Sequence, residues 1–501
     1  MTPPYAIFAS STRRATGLFV VIALLCLIIS DIAVTTLNPW HEMGRLMWGI
    51  VTPDFLHLEQ LSTALLRTLA FGFTGVAIGS VSGFMLALIF HLRFVRVFCA
   101  FIRSIHELFW ALIFLQFFGL HPLTGVLAIC IPFAGVFAKV YSEILEEADQ
   151  TPHKLLPQGS GLISSFVFAR IPDAWPHLVA YTSYRLECGL RSSAVLGFVG
   201  LPTIGFQLES AFSQGNYSEV GALLLLFYLL IATLKFWVRP KLIGIYVLAA
   251  PWFLGSGLPI IWGNVARFFT EDIIPAPLRD AGLSGAESFN QLLLWLQDIF
   301  IHEALPGIWN TLVLTQIALV ATGIVTLITF PLISRHFGNP TKRFFGQIVL
   351  VVVRSTPEYI LAYMLLTLWG PSMLPAIVAL ALHNGGVIAY LIGRQSNELK
   401  LRMDAPTGLN RYSFELLPRL YGPFLAFLFY RWEIIMRETA ILGILGIHTL
   451  GFYVDNAIQD IRFDRAMILI LITALLNILI DSISRKIRDR LRLKSASTCE
   501  A

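Results

Sequence analysis

Apolar runs of about 20 residues recur along most of the chain, with short polar segments between them. A helix crosses the hydrocarbon core of a bilayer in about 17 to 25 residues. The first run, Gly17–Ser30, follows Arg13 and Arg14 and has no small-residue cleavage site after it, so we expect it to stay as an anchored first helix. The other predicted spans are 65–91, 105–119, 122–142, 176–200, 219–238, 243–262, 307–334, 347–369, 373–393, 416–446 and 466–485. The pattern predicts an all-α integral membrane protein with about twelve transmembrane helices.

Composition agrees with this prediction. Of the 501 residues, 56% are apolar and 13% are charged, about half the charged fraction of a typical soluble domain. A cytosolic enzyme and a secreted module are therefore excluded. The net charge of +5 is spread over several loops, so no nucleic-acid partner is expected. The five cysteines stand singly, which indicates neither a disulfide framework nor a zinc site.

Basic residues concentrate in alternate loops. One set of loops, which includes both termini, holds most of the Lys and Arg residues, while the opposite set holds few. The positive-inside rule then places both termini in the cytoplasm. The largest outer loop, about 264–306, contains the amphipathic stretch Phe289–Ile301, which is expected to lie along the membrane surface.

Two parts of the chain resemble each other. The segment that starts at Tyr184 recurs 246 positions later at Tyr430, and the one that starts at Arg103 recurs at Arg354. We therefore predict a first transmembrane repeat at 1–240, with its core at 65–238, and a second at 241–501, with its core at 307–485. An even number of spans in each repeat makes them parallel, as a 6+6 arrangement about an axis along the membrane normal.

Both repeats carry charged residues within a predicted span. Unpaired charges at the bilayer centre cost about 3 kcal/mol each, so these side chains must be paired or in contact with water. One interpretation is structural pairing; the other is an aqueous route whose arginines attract an anion. The candidate pathway or gate residues are Arg185, Glu187, Arg191, Ser192, Arg431, Glu433, Arg437 and Glu438. Two further pairs also have four-residue spacing and are candidates either for locking helices together or for the pathway: Arg103 with Glu107, and Arg354 with Glu358.

Several further features narrow the function. The chain contains no GxxxxGK[ST] phosphate loop, so any ATP hydrolysis must come from a partner, and it contains no HExxH metalloprotease motif. Single histidines such as His383 are expected to be hydrogen-bonded core or interfacial residues. The matched segments Thr203–Gly205 and Thr449–Gly451 predict a shared turn that could gate a pathway.

A polar cytoplasmic segment precedes the charged span in each repeat, at Glu143–Trp175 and at Arg394–Pro418. Each is either a simple connection or a docking segment that receives force from a cytoplasmic motor. The candidate coupling residues are Glu146, Glu147, Gly159, Pro172, Gly408 and Pro418.

The sequence YRLECGLRSSAVLGFVG at 184–200 resembles the permease subunits of phosphonate-type ABC importers. With both repeats, the resemblance extends over most of the chain, as two such permeases fused. It implies a non-enzymatic type I importer transmembrane domain in the bacterial inner membrane, with two cytoplasmic ATPases that bind ATP and Mg and a periplasmic substrate-binding protein. The implied cargo is a small oxyanion such as phosphonate, phosphite or phosphate, moved by alternating access.

The coupling segments depart from the family pattern E-A-A…G…L-P. Gly159 and Pro172 keep its Gly-to-Pro spacing, whereas Gly408 lies three residues too close to Pro418. The contacts with the motor are therefore expected to differ between the repeats.

Two other functions stay open at this point. One is a secondary transporter driven by ions, in which Glu187, Glu433 and Glu438 carry protons. The other is a membrane scaffold or enzyme that does not transport, in which the repeats serve only assembly. Co-purification with a nucleotide-binding subunit distinguishes the importer from both.

Overall fold

The computed structural model describes residues 10–56, 58, 60–148, 161–279 and 285–491. Within these ranges every regular element is helical, which confirms the predicted all-α fold. The helices of the first part are α1 (Ser10–Ile29), α2 (Pro39–Val51), α3 (Leu61–Leu88), α4 (Arg93–Ser104), α5 (Glu107–Phe118), α6 (Pro122–Glu147), α7 (Ile171–Val195), α8 (Ile204–Ser213), α9 (Tyr217–Trp237) and α10 (Pro240–Phe253).

The second part repeats much of this order. Its helices are α11 (Gly285–Ile299), α12 (Leu305–Thr329), α13 (Pro340–Ser355), α14 (Glu358–Trp369), α15 (Met373–Glu398), α16 (Leu417–Ile441), α17 (Leu450–Gln459) and α18 (Phe463–Arg490). Short helical turns also occur at Leu162–Ser165, Trp262–Arg267, Ala276–Arg279 and Gly408–Asn410. The order from α3 to α9 therefore matches the order from α12 to α18.

Over the described residues, 7 helices are long and apolar enough to cross a membrane, or up to 11 if each bent helix pair is one span. The predicted twelve spans and their 6+6 arrangement are thus not confirmed. One difference lies at 243–262, where α10 has only 14 residues. A helix of that length reaches about 21 Å, less than the hydrocarbon thickness of about 30 Å.

Two pairs of consecutive helices are joined by a right-angle bend. The axes of α4 and α5 differ by 88°, and those of α13 and α14 by 89°. In the second case Thr356 is extended because Pro357 follows it, and the residue before proline disfavours the helical conformation. In the first case the ring of His106 accepts a hydrogen bond from the backbone N–H of Leu108 and caps α5. The predicted span 105–119 therefore corresponds to α5 alone, which begins after the bend, whereas the bend divides the predicted span 347–369 between α13 and α14.

The chain divides into two compact units. The first-repeat unit comprises Leu46–Phe268, and the second-repeat unit comprises the residues up to Arg45 together with those from Phe269 onward. In the first-repeat unit α3 lies along α6, and Gly83 permits this approach because a Cβ there would lie 2.9 Å from the carbonyl oxygen of Ala134. In the second-repeat unit α12 lies along α15 in the same way.

The first helix and the linking helix do not lie in the unit of the predicted repeat to which each was assigned. Helix α1 packs on α12 of the second-repeat unit, where Gln316 donates a hydrogen bond of 3.0 Å to the carbonyl oxygen of Phe19. Helix α10 packs on α3 of the first-repeat unit, with the rings of Tyr246 and Phe73 5.4 Å apart. The compact units are thus not the two halves of the sequence. The boundary between the two sequence repeats, placed between residues 240 and 241, stays a prediction.

The amphipathic stretch predicted at Phe289–Ile301 is helical. It runs through a π-helical turn, Phe300–Ala304, directly into α12, so that Glu287–Ile333 is one continuous segment of 47 residues. Arg465 fixes this segment through ion pairs with Asp298, at 3.0 Å, and with Glu303. The position of the stretch along a membrane surface stays a prediction.

Candidate functional site

The two charged helices end in the same irregular turn. A 3₁₀ segment follows each, Leu196–Val199 after α7 and Leu442–Leu445 after α16. Gly200 and Gly446 then take φ values of +89° and +87°, a left-handed conformation that glycine adopts without steric cost. Helices α8 and α17 leave at bends of 48° and 43°. The predicted shared turn is present, and its role as a gate stays a prediction.

A threonine from the preceding part of each unit holds this turn. The hydroxyl of Thr68 in α3 accepts a hydrogen bond of 2.9 Å from the backbone N–H of Ile204. The hydroxyl of Thr311 in α12 accepts one of 3.0 Å from the backbone N–H of Leu450. Both threonines are fully buried. Each therefore satisfies a helix N-terminus that has no water to bind.

In the first-repeat unit, a carboxylate at the start of α5 meets α7. The hydroxyl of Ser192 donates a hydrogen bond of 2.7 Å to Oε1 of Glu107. The ring Nδ1 of the buried His106 lies 3.7 Å from Oε2 of the same carboxylate. Arg191 and Glu187 form the ion pair that their spacing predicted, at 3.2 Å, with 19% and 31% of their side chains exposed. The bend between α4 and α5 thus brings Glu107 to the charged helix.

Arg185 lies among aromatic side chains. Its Nε donates a hydrogen bond of 2.8 Å to the hydroxyl of Tyr181. Its guanidinium carbon is 5.3 Å from the ring centroid of Tyr181, 5.8 Å from that of Tyr184 and 6.0 Å from that of Phe133. Cation–π contacts of this kind stabilise a charged guanidinium in a partly desolvated position.

In the second-repeat unit, a relay of hydrogen bonds links the corresponding arginine to a buried carboxylate. Asn384 of α15 donates to Oε2 of Glu438 at 2.9 Å and accepts from Arg431 at 3.2 Å. Glu438 is only 5% exposed. The amide of Asn384 therefore links the guanidinium of Arg431 to the carboxyl group of Glu438.

A second carboxylate lies beside this relay. Nε2 of the buried His383 is 3.6 Å from Oε2 of Glu358. Nδ1 of His383 lies 2.8 Å from the carbonyl oxygen of Thr356, and because a carbonyl only accepts, Nδ1 carries the proton. His383 is thus a hydrogen-bonded core residue, as predicted, and it adjoins the candidate site.

The repeats differ at matched positions. Glu438 stands where the first repeat has Ser192, and Asn384 stands where it has Phe133. Arg185 therefore faces an aromatic ring in one unit, whereas Arg431 faces an amide in the other. Sequence analysis missed Asn384, and the adjacent His-Asn pair inside an apolar run is the signal that would have indicated it.

Two of the predicted pairings have a different geometry. Arg103/Glu107 and Arg354/Glu358 have four-residue spacing and were candidates for locking helices together or for the pathway, but the right-angle bend falls between the members of each pair. The guanidinium of Arg354 lies 4.2 Å from the ring centroid of Tyr390. Glu433 and Arg437 lie one turn apart in α16, half-buried, as their spacing requires.

The candidate coupling residues lie at helix ends. Glu146 and Glu147 are exposed at the end of α6, and Pro172 is exposed in the first turn of α7. Pro418 lies in the first turn of α16, and Gly408 has a φ of +61° in the short turn before it. Gly159 lies outside the described residues.

Sequence analysis missed a buried carboxylate in the second coupling segment. Glu415 is 2% exposed and pairs with Arg402 and Arg419, each at 2.8 Å. Arg419 also donates to the carbonyl oxygen of Lys400 at 2.9 Å. The matched position in the first repeat is Ala169. Glu415 thus fixes the second segment to the start of α16 by contacts that an alanine cannot make.

Helices of membrane-spanning length around half-buried arginine groups and buried carboxyl groups define a multi-pass membrane protein with polar sites inside its helix bundles. No protein-family model and no solved structure matches the chain.

Curated relatives identify the family. A phosphate-import permease protein, PhnE of Mycolicibacterium smegmatis, is 25% identical over 79% of this chain and 77% of its own length. The phosphite transport system permease protein PtxC of Stutzerimonas stutzeri is 30% identical over 41% of this chain and 79% of its own length. A cryptic phosphonate transport system permease protein of Escherichia coli, described as putative, is 30% identical over 22% of this chain and 92% of its own length. The chain belongs to the family of phosphonate-, phosphite- and phosphate-type ABC transporter permeases.

Proposed function

We propose that this chain is the permease of an importer that moves a small oxyanion, a phosphonate, phosphite or phosphate, across the bacterial inner membrane. The observation that carries the proposal is the pair of family-type charged helices, each with arginines held inside a helix bundle. Relatives of this chain are phosphate and phosphite permeases by name.

The arginine chemistry suits such a cargo. A guanidinium presents N–H groups in a planar fork that matches two oxygens of a tetrahedral oxyanion. Arg185 and Arg431 are half-buried, so a bound anion interacts with them in a medium of lower dielectric than water. Arg191 and Arg437, further along the same helices, extend the positive potential toward the turns at Gly200 and Gly446.

The transport cycle that we propose uses an external source of energy. A periplasmic binding protein delivers the anion, and two cytoplasmic ATPases, which bind ATP and Mg, close on each other and push the segments before α7 and α16. The repeats then rock and expose the arginines to either side in turn. The basic loops orient the chain with both termini in the cytoplasm.

Reconstitution in liposomes with the cognate ATPase and binding protein tests this function. We expect uptake of phosphite or phosphate that requires ATP. Arg191→Ala or Arg437→Ala should reduce uptake and leave the affinity of the binding protein for its anion unchanged. Normal uptake in both variants would exclude the pathway role, and uptake driven by a proton gradient without the ATPase would establish an ion-driven transporter in its place.

A further inference from the structure

An apolar cleft separates α1 from the body of the second-repeat unit. Its walls are formed by residues of α1, α12 and α16. Thr16 is polar, and the other residues along the cleft are apolar or, at Gly323, have no side chain. Phe19 and Val20 form the α1 wall, and Leu327 and Leu425 lie opposite. A cleft of this composition is unfavourable for water and favourable for hydrocarbon.

The cleft has the length of an acyl chain within one leaflet. Its α12 wall extends from Leu319 to Leu327, which is about 12 Å at the helical rise of 1.5 Å per residue. One leaflet of the hydrocarbon core is about 15 Å deep. Helix α1 is largely uncovered by protein, since only 11% of its span is buried. Lipid therefore has access to the cleft from the side.

One end of the cleft is polar and positively charged. The hydroxyls of Thr16 and Tyr421 share a hydrogen bond of 2.7 Å there. Arg13 lies one turn before Thr16 on the same helix face, and both Arg13 and Arg14 are exposed. Guanidinium groups at the end of an acyl-chain site complement an anionic headgroup.

We propose that an anionic phospholipid occupies this cleft, with one acyl chain between α1 and the helices α12 and α16 and its phosphate against Arg13 and Arg14. The lipid completes the packing of α1, which otherwise joins the second-repeat unit through few polar contacts. This site is separate from the arginines of α7 and α16, so the inference does not depend on the proposed transport function.

Native mass spectrometry of the full chain, titrated with phosphatidylglycerol or phosphatidylcholine of equal chain length, tests the site. We expect phosphatidylglycerol to be retained preferentially. Arg13→Gln and Arg14→Gln should each weaken its retention about fivefold, the contribution of one cation near an anionic membrane surface. Val320→Phe, which fills the cleft, should remove both lipids from it.

The matched control is the double variant Arg93→Gln/Arg96→Gln, which removes two exposed cations at the start of α4 in the first-repeat unit. It should leave retention unchanged. Inorganic phosphate should not compete, because it lacks the acyl chain. Equal retention of both lipids that is insensitive to Arg13 and Arg14 would overturn the proposal.

A photoreactive side chain placed at Val20 provides a second measurement that does not depend on mass spectrometry. We expect it to cross-link to lipid in membranes. A cross-link to a second copy of the chain or to a partner protein would show that protein covers the cleft and would also overturn the proposal.

Discussion

At the scale of single residues, the two repeats use one carboxylate position in two ways. Glu107 accepts from the hydroxyl of Ser192, whereas the matched Glu358 lies beside His383 and near Glu438, which occupies the position of Ser192. A single exchange from serine to glutamate thus adds a carboxyl group to the second site, and Asn384 donates a hydrogen bond to it. The two sites therefore differ in the polar groups that surround their arginines.

Glu438→Ala removes the acceptor of the buried Asn384 amide. We expect a loss of about 1 to 3 kcal/mol in the free energy of unfolding, the cost of leaving a buried polar group unsatisfied. Glu438→Gln retains an acceptor oxygen and should lose less. Thermal unfolding of the purified protein in detergent measures both, and an alanine variant as stable as the unchanged protein would show that the relay contributes nothing.

Ser192→Glu gives the first repeat the carboxyl group of the second. If the anion passes these arginines while the new carboxyl group is ionised, uptake should fall by at least about tenfold, because one like charge nearby costs about 1.4 kcal/mol or more at low dielectric. The matched variant Glu438→Ser should transport at least as well as the unchanged protein. Uptake that is equal in both variants would place the anion elsewhere.

At the scale of elements, function depends on where helices are interrupted. The bends before α5 and α14 carry Glu107 and Glu358 to the charged helices, and the turns after α7 and α16 need a left-handed residue. Residues of α3 and α12, Thr68 and Thr311, hold the turns, and Glu415 holds the second coupling segment.

Gly446→Ala isolates the backbone cost of the second turn, because no atom lies within 4 Å of the position that a Cβ would take. We expect a destabilisation of about 1 to 2 kcal/mol, the penalty of the left-handed conformation for an L-residue. Gly446→Asn, whose side chain tolerates that conformation better, should recover part of it. Chemical or thermal unfolding supplies the values, and an alanine variant without any loss would contradict the assigned backbone.

Glu415→Ala tests the anchor of the second coupling segment. The variant leaves Arg402 and Arg419 without the carboxylate that holds them together, so the segment should move independently of α16. We expect ATPase activity to continue while uptake falls. Ala169→Ser, at the matched position of the first repeat, is the control and should leave the two activities coupled.

At the scale of the whole molecule, the compact units do not follow the order of the sequence. Helix α1 belongs to the unit that contains α12 and α16, with the rings of Phe19 and Phe429 5.1 Å apart. The helix between the repeats, α10, belongs to the unit that contains α3. The chain thus passes from one unit to the other after Arg45 and after Phe268, and the duplication of the sequence does not predict these positions.

Cysteines at Phe19 and Phe429, in a background without the native cysteines, test this assignment. The pair should form a disulfide or accept a short bifunctional reagent in membranes, as seen by a mobility shift on gels. The pair at Val21 and Phe429 is the control, since Val21 is exposed on another face of α1. Efficient linkage of the control pair alone would place α1 differently.

The sequence by itself determined the helical fold, the lipid environment of the helices, the duplication and the positions of the charged residues. These follow from apolar length, from loop charge and from repeated spacing, which are all local properties. The Arg191–Glu187 pair was predictable because both residues share one helix.

Only the tertiary structure decided which charges meet. The bends removed the helical spacing assumed for Arg103/Glu107 and Arg354/Glu358, and Asn384 and Glu415 gained their roles from residues of other elements. The exchange of α1 and α10 between the units likewise depends on side-chain packing between distant segments. Such contacts have no periodic signature, because they depend on the path of the chain between the elements and not on the pattern within any one of them.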